Sequence, residues 1–262
     1  MSDAAIHPSA VIEAGAQIDP TARIGPFCVV GPNVVIGPEV ELKSHVVVTG
    51  HTSIGAGTVV FSFAVIGEVP QDLKFKGEAS RLEIGARNRI REHVTMNCGT
   101  EGGGGVTRIG DDGLFMAGCH IAHDAHIGDR VIVVNSAAIA GHCRLEDDVI
   151  VGGLSGIHQF VRIGRGAIIG AVTMVTNDVI PYGLVQAPRG ELDGLNLVGL
   201  KRRGVARSDI TALRAAFQML AQGDGTFHDR AERLGRETDS DYVREIVAFV
   251  MGDSDRSFLT PR

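Results

Sequence analysis

Counting in sixes from the amino terminus, an aliphatic residue stands at every stop: Ile6, Ile12, Ile18, Ile24, Val30, Ile36, Leu42, Val48, Ile54, Val60 and Ile66. The phase returns at Ile84, Ile90 and Met96 and slips by one. It then runs from Ile109 through Phe115, Ile121, Ile127, Val133, Ile139, Leu145, Val151, Ile157, Ile163 and Ile169 to Val175. Neither the 3.6-residue period of a helix nor the alternation of a flat strand places apolar residues only at each sixth step. Four residues after most stops the side chain is small, as at Ala22, Cys28, Ala64, Ala125, Cys143 and Ala167. One large and one small inward residue per six describe short strands joined by sharp bends. Three hexads close a triangular lap, so residues 18 apart stack at the strand spacing of roughly 4.8 Å. The expected fold is mainly β: a parallel β-helix shaped as a hexapeptide-repeat prism.

Composition agrees. The 35 glycines and the absence of tryptophan suit tight corners around a thin core, and 44% hydrophobic content in 262 residues is enough to fill one. No run of eighteen apolar residues occurs, and Met1-Ser2-Asp3 lacks the basic and apolar parts of a signal peptide. The expectation is a cytoplasmic protein with no integral membrane segment. A formal charge of -6 argues against general nucleic-acid binding. Cys28, Cys119 and Cys143 fall at the small inward position, where a thiol behaves as a small hydrophobe, while Cys98 falls off it with no CxxC spacing. No redox or metal role is expected of them.

Two interruptions break the hexads. The first, about 67–83, contains Gln71-Asp72-Leu73-Lys74 and puts Asp72 and Glu78 where aliphatics are due. The second, about 97–108, carries four successive glycines from Gly102. A solenoid tolerates insertions where the chain leaves the coil at a corner, and such loops often bind ligands. The prism with its two loops is assigned to 1–190, with Pro181 and Pro188 marking an irregular connector, and 191–262 to a small helical domain. There Ser208 is expected to cap a helix with Ile210, Leu213, Phe217 and Leu220 on one side, ended by Gly223. Two further amphipathic stretches follow near 227–234 and 242–250, the last capped by Ser240. Lys201, Arg202, Arg203 and Arg207 form a basic run that is either a solvated face or a site for phosphates or an acidic partner.

Histidines are dense at His120, His123, His126, His142 and His158. The 18-residue lap puts His123 beneath Gly141 and Gly141 beneath Gln159. It likewise puts Asp124 beneath His142 and His142 beneath Phe160. An imidazole, a neighbouring carboxylate and a glycine one lap away offer a general base, a group to orient it and an unobstructed backbone N–H, a set suited to acyl transfer. Alternatively, His120, His123 and His142 are zinc ligands, as in hexapeptide carbonic anhydrases. A third reading, a non-catalytic hexapeptide protein that scaffolds partners, leaves the His123-Asp124 pair without a purpose.

The strings Ile121-Ala122-His123-Asp124, Ala140-Gly141-His142, Ile157-His158-Gln159-Phe160 and Gly199-Leu200-Lys201-Arg202-Arg203-Gly204, with the loop Gln71-Asp72-Leu73-Lys74, resemble the UDP-N-acetylglucosamine O-acyltransferases that open lipid A synthesis. The resemblance runs from the first hexads into the helical tail. It implies a left-handed coil, against the usual right-handed habit of parallel crossovers. It further implies a homotrimer with sites between neighbouring prisms, and transfer of a 3-hydroxyacyl group from acyl carrier protein to the 3-hydroxyl of a UDP-sugar without a cofactor. By position, His123 would be the base, Asp124 its orienting partner and Gly141 N–H the oxyanion donor. Gln71, Asp72 and Lys74 would meet the sugar, His120, His142, His158 and Gln159 line the cleft, and Asn196, Arg202 and Arg203 contact the nucleotide. Ala171 would sit at the floor of the acyl groove, where residue size measures chain length. Asn97 stands where the family has a histidine. Some relatives accept a 3-amino sugar and form an amide, and the N-acyltransferase later in the pathway shares prism and base but carries an additional N-terminal domain.

Overall fold

The computed structural model describes residues 5–186, 190–254 and 256–260. Residues 1–3 and Pro188, which figure in the sequence reading, lie outside them. At almost every hexad stop the chain forms a two-residue strand that pairs in parallel with the strand 18 residues on: Ile6 with Ile24, Ile12 with Val30, Ile18 with Ile36. Among the described residues these strands assemble into three sheets of 11, 9 and 8 strands, the faces of a left-handed triangular prism. We number the faces in the order the chain first visits them and each corner after the face it follows. Large residues point inward at every lap, and Ile24, Val30 and Ile36 are 2%, 0% and 2% exposed. Fully burying one such side chain contributes about 1.5–3 kcal/mol. Ile6 is 40% exposed because no lap lies beneath it.

The corners repeat as regularly as the strands. The third residue after each large one is left-handed in most hexads, as at Phe27, Asp124, His142, Phe160 and Val172. The second residue's N–H is not used by the coil, which is why Pro8, Pro20, Pro26, Pro32 and Pro38 all fit there. Both insertions leave at the second corner. They lengthen the lap from 18 residues to 30, where His51 pairs with Arg81, and to 25, where Thr95 pairs with His120.

The last prism strand, Gly183–Gln186, runs parallel to Ile168–Ile169 and antiparallel to Glu191–Leu195. The expected division at 190/191 therefore falls inside a hairpin that completes the first face. Among the described residues four helices follow: α1 Leu197–Arg202, α2 Arg207–Ala221, α3 Phe227–Glu237 and α4 Asp241–Met251. The expected caps need correction. Ala206 is the N-cap of α2 and Ser208 lies within the first turn, while the helix stops at Ala221 with Gln222, not Gly223, as its C-cap. Ser240 does stand at the N-cap of α4, but its hydroxyl donates to Asp209 at 3.1 Å. A full capping box, Thr226 with Asp229, begins α3. Helix α4 is fastened to the prism through Glu245, which accepts from Arg165 at 2.7 Å and from the Tyr182 hydroxyl. Beside it Arg162 pairs with fully buried Asp178 at 2.6 Å and lies 4.6 Å from the Phe249 ring. All four cysteines are reduced and buried. Cys98 also turns inward, donating to the Gly67 carbonyl at 3.3 Å, and burial pushes its thiol up to about 11.

Candidate active site

The second corner gathers His120, His123, His142 and His158 and both insertions, while His126 lies on the third face. His120 opens a second-face strand, and its Nδ1 lies 2.7 Å from Thr95 Oγ1 on the lap below. Burial, and secondarily the charge of His123, holds its ring below the ordinary imidazole range. His142 stacks on Phe160 at 4.4 Å with the planes 1° apart, and meets His123 edge-on at 5.0 Å. Burial also lowers His142, which feels opposing fields from Asp72 and Lys74 of the first insertion. Both rings are thereby kept neutral near pH 7, able to donate from one nitrogen and accept at the other.

Asp124 and His123 form the centre. The carboxylate is 4% exposed, and a buried charge needs donors. Oδ1 accepts the Thr100 N–H at 2.8 Å, while Oδ2 accepts the Thr100 hydroxyl at 2.6 Å and lies 2.8 Å from His123 Nδ1. Asp124's own N–H donates to Thr107 Oγ1 at 2.8 Å. Because the carboxylate is an acceptor, His123 carries its proton on Nδ1, and the lone pair on Nε2 is left to act as a base.

Gly141 covers that ring. A Cβ at Gly141 would stand 2.6 Å from His123 Cε1 and 2.7 Å from Nε2, so only glycine admits the imidazole. The stacking expected from the 18-residue lap is present: His142 N–H donates to the His123 carbonyl at 3.0 Å, and Phe160 N–H to the Gly141 carbonyl at 3.1 Å. Gly141 occupies the hexad position that proline takes in the first laps, and among the described residues no acceptor meets its N–H. The fold itself thus leaves a donor free beside the base.

His123, Asp124 and His142 also have ligand atoms within 4.8 Å of one another. That group contains Asp124 and not His120, so it differs from the zinc triad read from the sequence. The 2.8 Å contact between Nδ1 and Oδ2 is a direct hydrogen bond, and Oδ2 already accepts the Thr100 hydroxyl. A zinc ion held about 2.0–2.2 Å from Nδ1 and Oδ2 would have to displace the proton between them and break that hydrogen bond.

Comparison with known proteins agrees with this chemistry. Residues 178–259 match the family described as UDP N-acetylglucosamine O-acyltransferase, domain 2, and residues 9–50 match the bacterial transferase hexapeptide repeat. An acyl-[acyl-carrier-protein]–UDP-N-acetylglucosamine O-acyltransferase from Agrobacterium fabrum is 44% identical over 99% of this chain and 97% of its own. One from Paracoccus denitrificans is 73% identical over 78% of this chain and 77% of its own. The chain belongs to the UDP-N-acetylglucosamine O-acyltransferase family. The LpxA structure from Acinetobacter baumannii, 37% identical, superposes with a TM-score of 0.94 over 97% of this chain and 99% of that one.

Within this acyltransferase fold the remaining residues singled out from the sequence do not converge on one corner. Gln71, Asp72 and Lys74 lie on the first insertion at the second corner, where Asp72 Oδ1 accepts the Lys74 N–H at 3.0 Å. Gln159 lies exposed above Gly141. His158 is exposed, with its Nδ1 3.1 Å from Arg256 Nη2. Asn196, Arg202 and Arg203 sit instead at the third corner. Asn196 caps α1 by accepting from Gly199 N–H at 2.9 Å and donates to the Gly166 carbonyl at 2.9 Å, so most of its amide is engaged in the fold. Arg203 lies over the Tyr182 ring at 5.9 Å, and Arg202 is exposed. Ala171 is exposed at the first corner, beside Val172, whose N–H donates to Gly153. Sequence reasoning missed Thr95, Thr100 and Thr107, the threonines that fix His120 and Asp124; the glycine run after Thr100 was their one signal.

Proposed function

We propose that this chain transfers a 3-hydroxyacyl group from acyl carrier protein to the glucosamine 3-hydroxyl of UDP-N-acetylglucosamine, with His123 as general base. The observation that carries the reading is His123, oriented by Asp124, directly beneath the unpaired Gly141 N–H. Nε2 accepts the proton of the sugar hydroxyl as its oxygen attacks the thioester carbonyl. A C–O bond forms, and the Gly141 N–H donates to the tetrahedral oxyanion. The C–S bond then breaks, and His123 returns the proton to the leaving thiolate. Atoms and charge balance with no cofactor and no covalent enzyme intermediate. Removing the base is expected to cost on the order of 10² to 10⁴ in rate.

Gln71, Asp72 and Lys74 are assigned to the sugar, His120, His142, His158 and Gln159 to the cleft, and Asn196, Arg202 and Arg203 to the nucleotide half, whose pyrophosphate an arginine guanidinium grips with two bonds. Since these groups and Ala171 occupy three different corners of one prism, the complete site is assigned to neighbouring copies in a homotrimer. An outward ladder of Val11, Val29, Val47 and Val65, stacked in register on the second face between the first and second corners, supports such packing. Among the described residues no helix is long and apolar enough to cross a membrane, and the reaction is assigned to the cytoplasm.

The test is an assay of purified protein with UDP-N-acetylglucosamine, its 3-amino analogue and a ladder of 3-hydroxyacyl carrier proteins, with products weighed by mass spectrometry. An ester of UDP-N-acetylglucosamine is expected. Product from the amino sugar alone would replace this reading with amide formation.

A further inference from the structure

We propose that Thr100 is a positioning residue for the His123–Asp124 pair, and that the glycine-rich second insertion brings it there. The inference rests on His123 being the base. Thr100 is 6% exposed and supplies both of its donors to one carboxylate: the N–H to Oδ1 and the hydroxyl to Oδ2, the same oxygen that faces His123. Hydrogen bonds to an ionised acceptor are short and strong, and two from one residue fix the plane of the carboxylate as well as its place. With that plane fixed, the single bond to Nδ1 sets the azimuth of the imidazole and so the direction in which Nε2 points. His142 Nδ1, at 3.7 Å from Oδ2, is too far to do the same.

The glycines of the insertion fit this purpose. A Cβ at Gly103 would stand 2.0 Å from Asp124 Cγ, and one at Gly99 would stand 2.8 Å from Oδ1. The loop is therefore wrapped against the carboxylate at the closest approach a backbone can make, with Thr100 between the two glycines. Thr107, at the end of the insertion, holds the Asp124 N–H. The insertion acts as a clamp closed on Asp124 from both sides.

The test compares Thr100→Val, which keeps shape and backbone N–H but removes the hydroxyl, with Thr100→Ser, which keeps the hydroxyl. Thr100→Val is expected to lower kcat about tenfold, the effect of one lost hydrogen bond to a charged group, with KM for UDP-N-acetylglucosamine changed less than about twofold. Thr100→Ser is expected to restore kcat. In an Asp124→Ala background the Thr100→Val change should cost less than about twofold more, because a residue acting through Asp124 has nothing left to act on. Normal kcat in Thr100→Val, failure of serine to rescue, or additive losses in the double variant would each overturn the proposal. His123→Ala run alongside separates the two readings. If it is inactive while Thr100→Val is normal, only the clamp fails; if it is active, the base assignment fails first.

Discussion

The imidazole of His123 fills the space a side chain on Gly141 would need, with Cε1 only 2.6 Å from where a Cβ would stand. The base and the free N–H are thus held against each other by the absence of one carbon. Gly141→Ala should force the ring away from Asp124 while leaving the coil intact, since Gly141 does not have a left-handed backbone. Turnover is expected to fall on the order of 10²-fold through displacement of the base, since alanine keeps the backbone N–H, with little change in melting temperature. Unchanged turnover in the alanine variant would separate the two groups functionally.

The prism was legible because its period is strict, and the Gly141–His123 stack follows from it directly. The Thr100–Asp124 clamp was not. Thr100 lies 24 residues from Asp124, not 18, because the second insertion lengthens this lap, and nothing in the hexads gives the register across a loop. The same limit hid the pairing of Thr95 with His120, which are 25 apart. Helix caps were misread for a local reason. Ser208 and Ser240 have capping chemistry, but α2 begins at Arg207, and the Ser240 hydroxyl finds Asp209 across the helical domain. A tertiary contact won over local capping at Ser240.

Burial of His120 gives a pH dependence with a definite sign. Its folded pKa lies below the ordinary value of 6.5, so the unfolded chain binds the proton more readily. Stability is therefore lost as pH falls through 6.5 toward the depressed folded value, and regained above it. His120→Asn should flatten the fall of melting temperature between about pH 7 and 5. A parallel fall in both proteins would show that His120 does not contribute.

Ala171 makes a specificity prediction. A methyl at the floor of an acyl groove shortens the space, so Ala171→Gly should move the preferred donor toward longer 3-hydroxyacyl chains. Competition among carrier proteins loaded with different chains reads this directly. An unchanged length profile would remove Ala171 from the groove.

Exposed Lys201, Arg202 and Arg207 project from the helical domain of a chain whose formal charge is -6. If they steer an acidic carrier protein, their reach at physiological ionic strength is only about 8 Å, and added salt should shorten it. Transfer from acyl carrier protein should then weaken with salt more steeply than transfer from a small acyl thioester. Equal salt dependence for the two donors would eliminate steering.

The most direct measurement is single-turnover acyl transfer by His123→Ala, with UDP-N-acetylglucosamine and a 3-hydroxyacyl carrier protein, beside a melting curve of the same sample. The expected result is a rate lower by about 10² to 10⁴ with the melting transition retained. A near-normal rate in a folded His123→Ala protein would contradict the assignment of the base and the mechanism built on it.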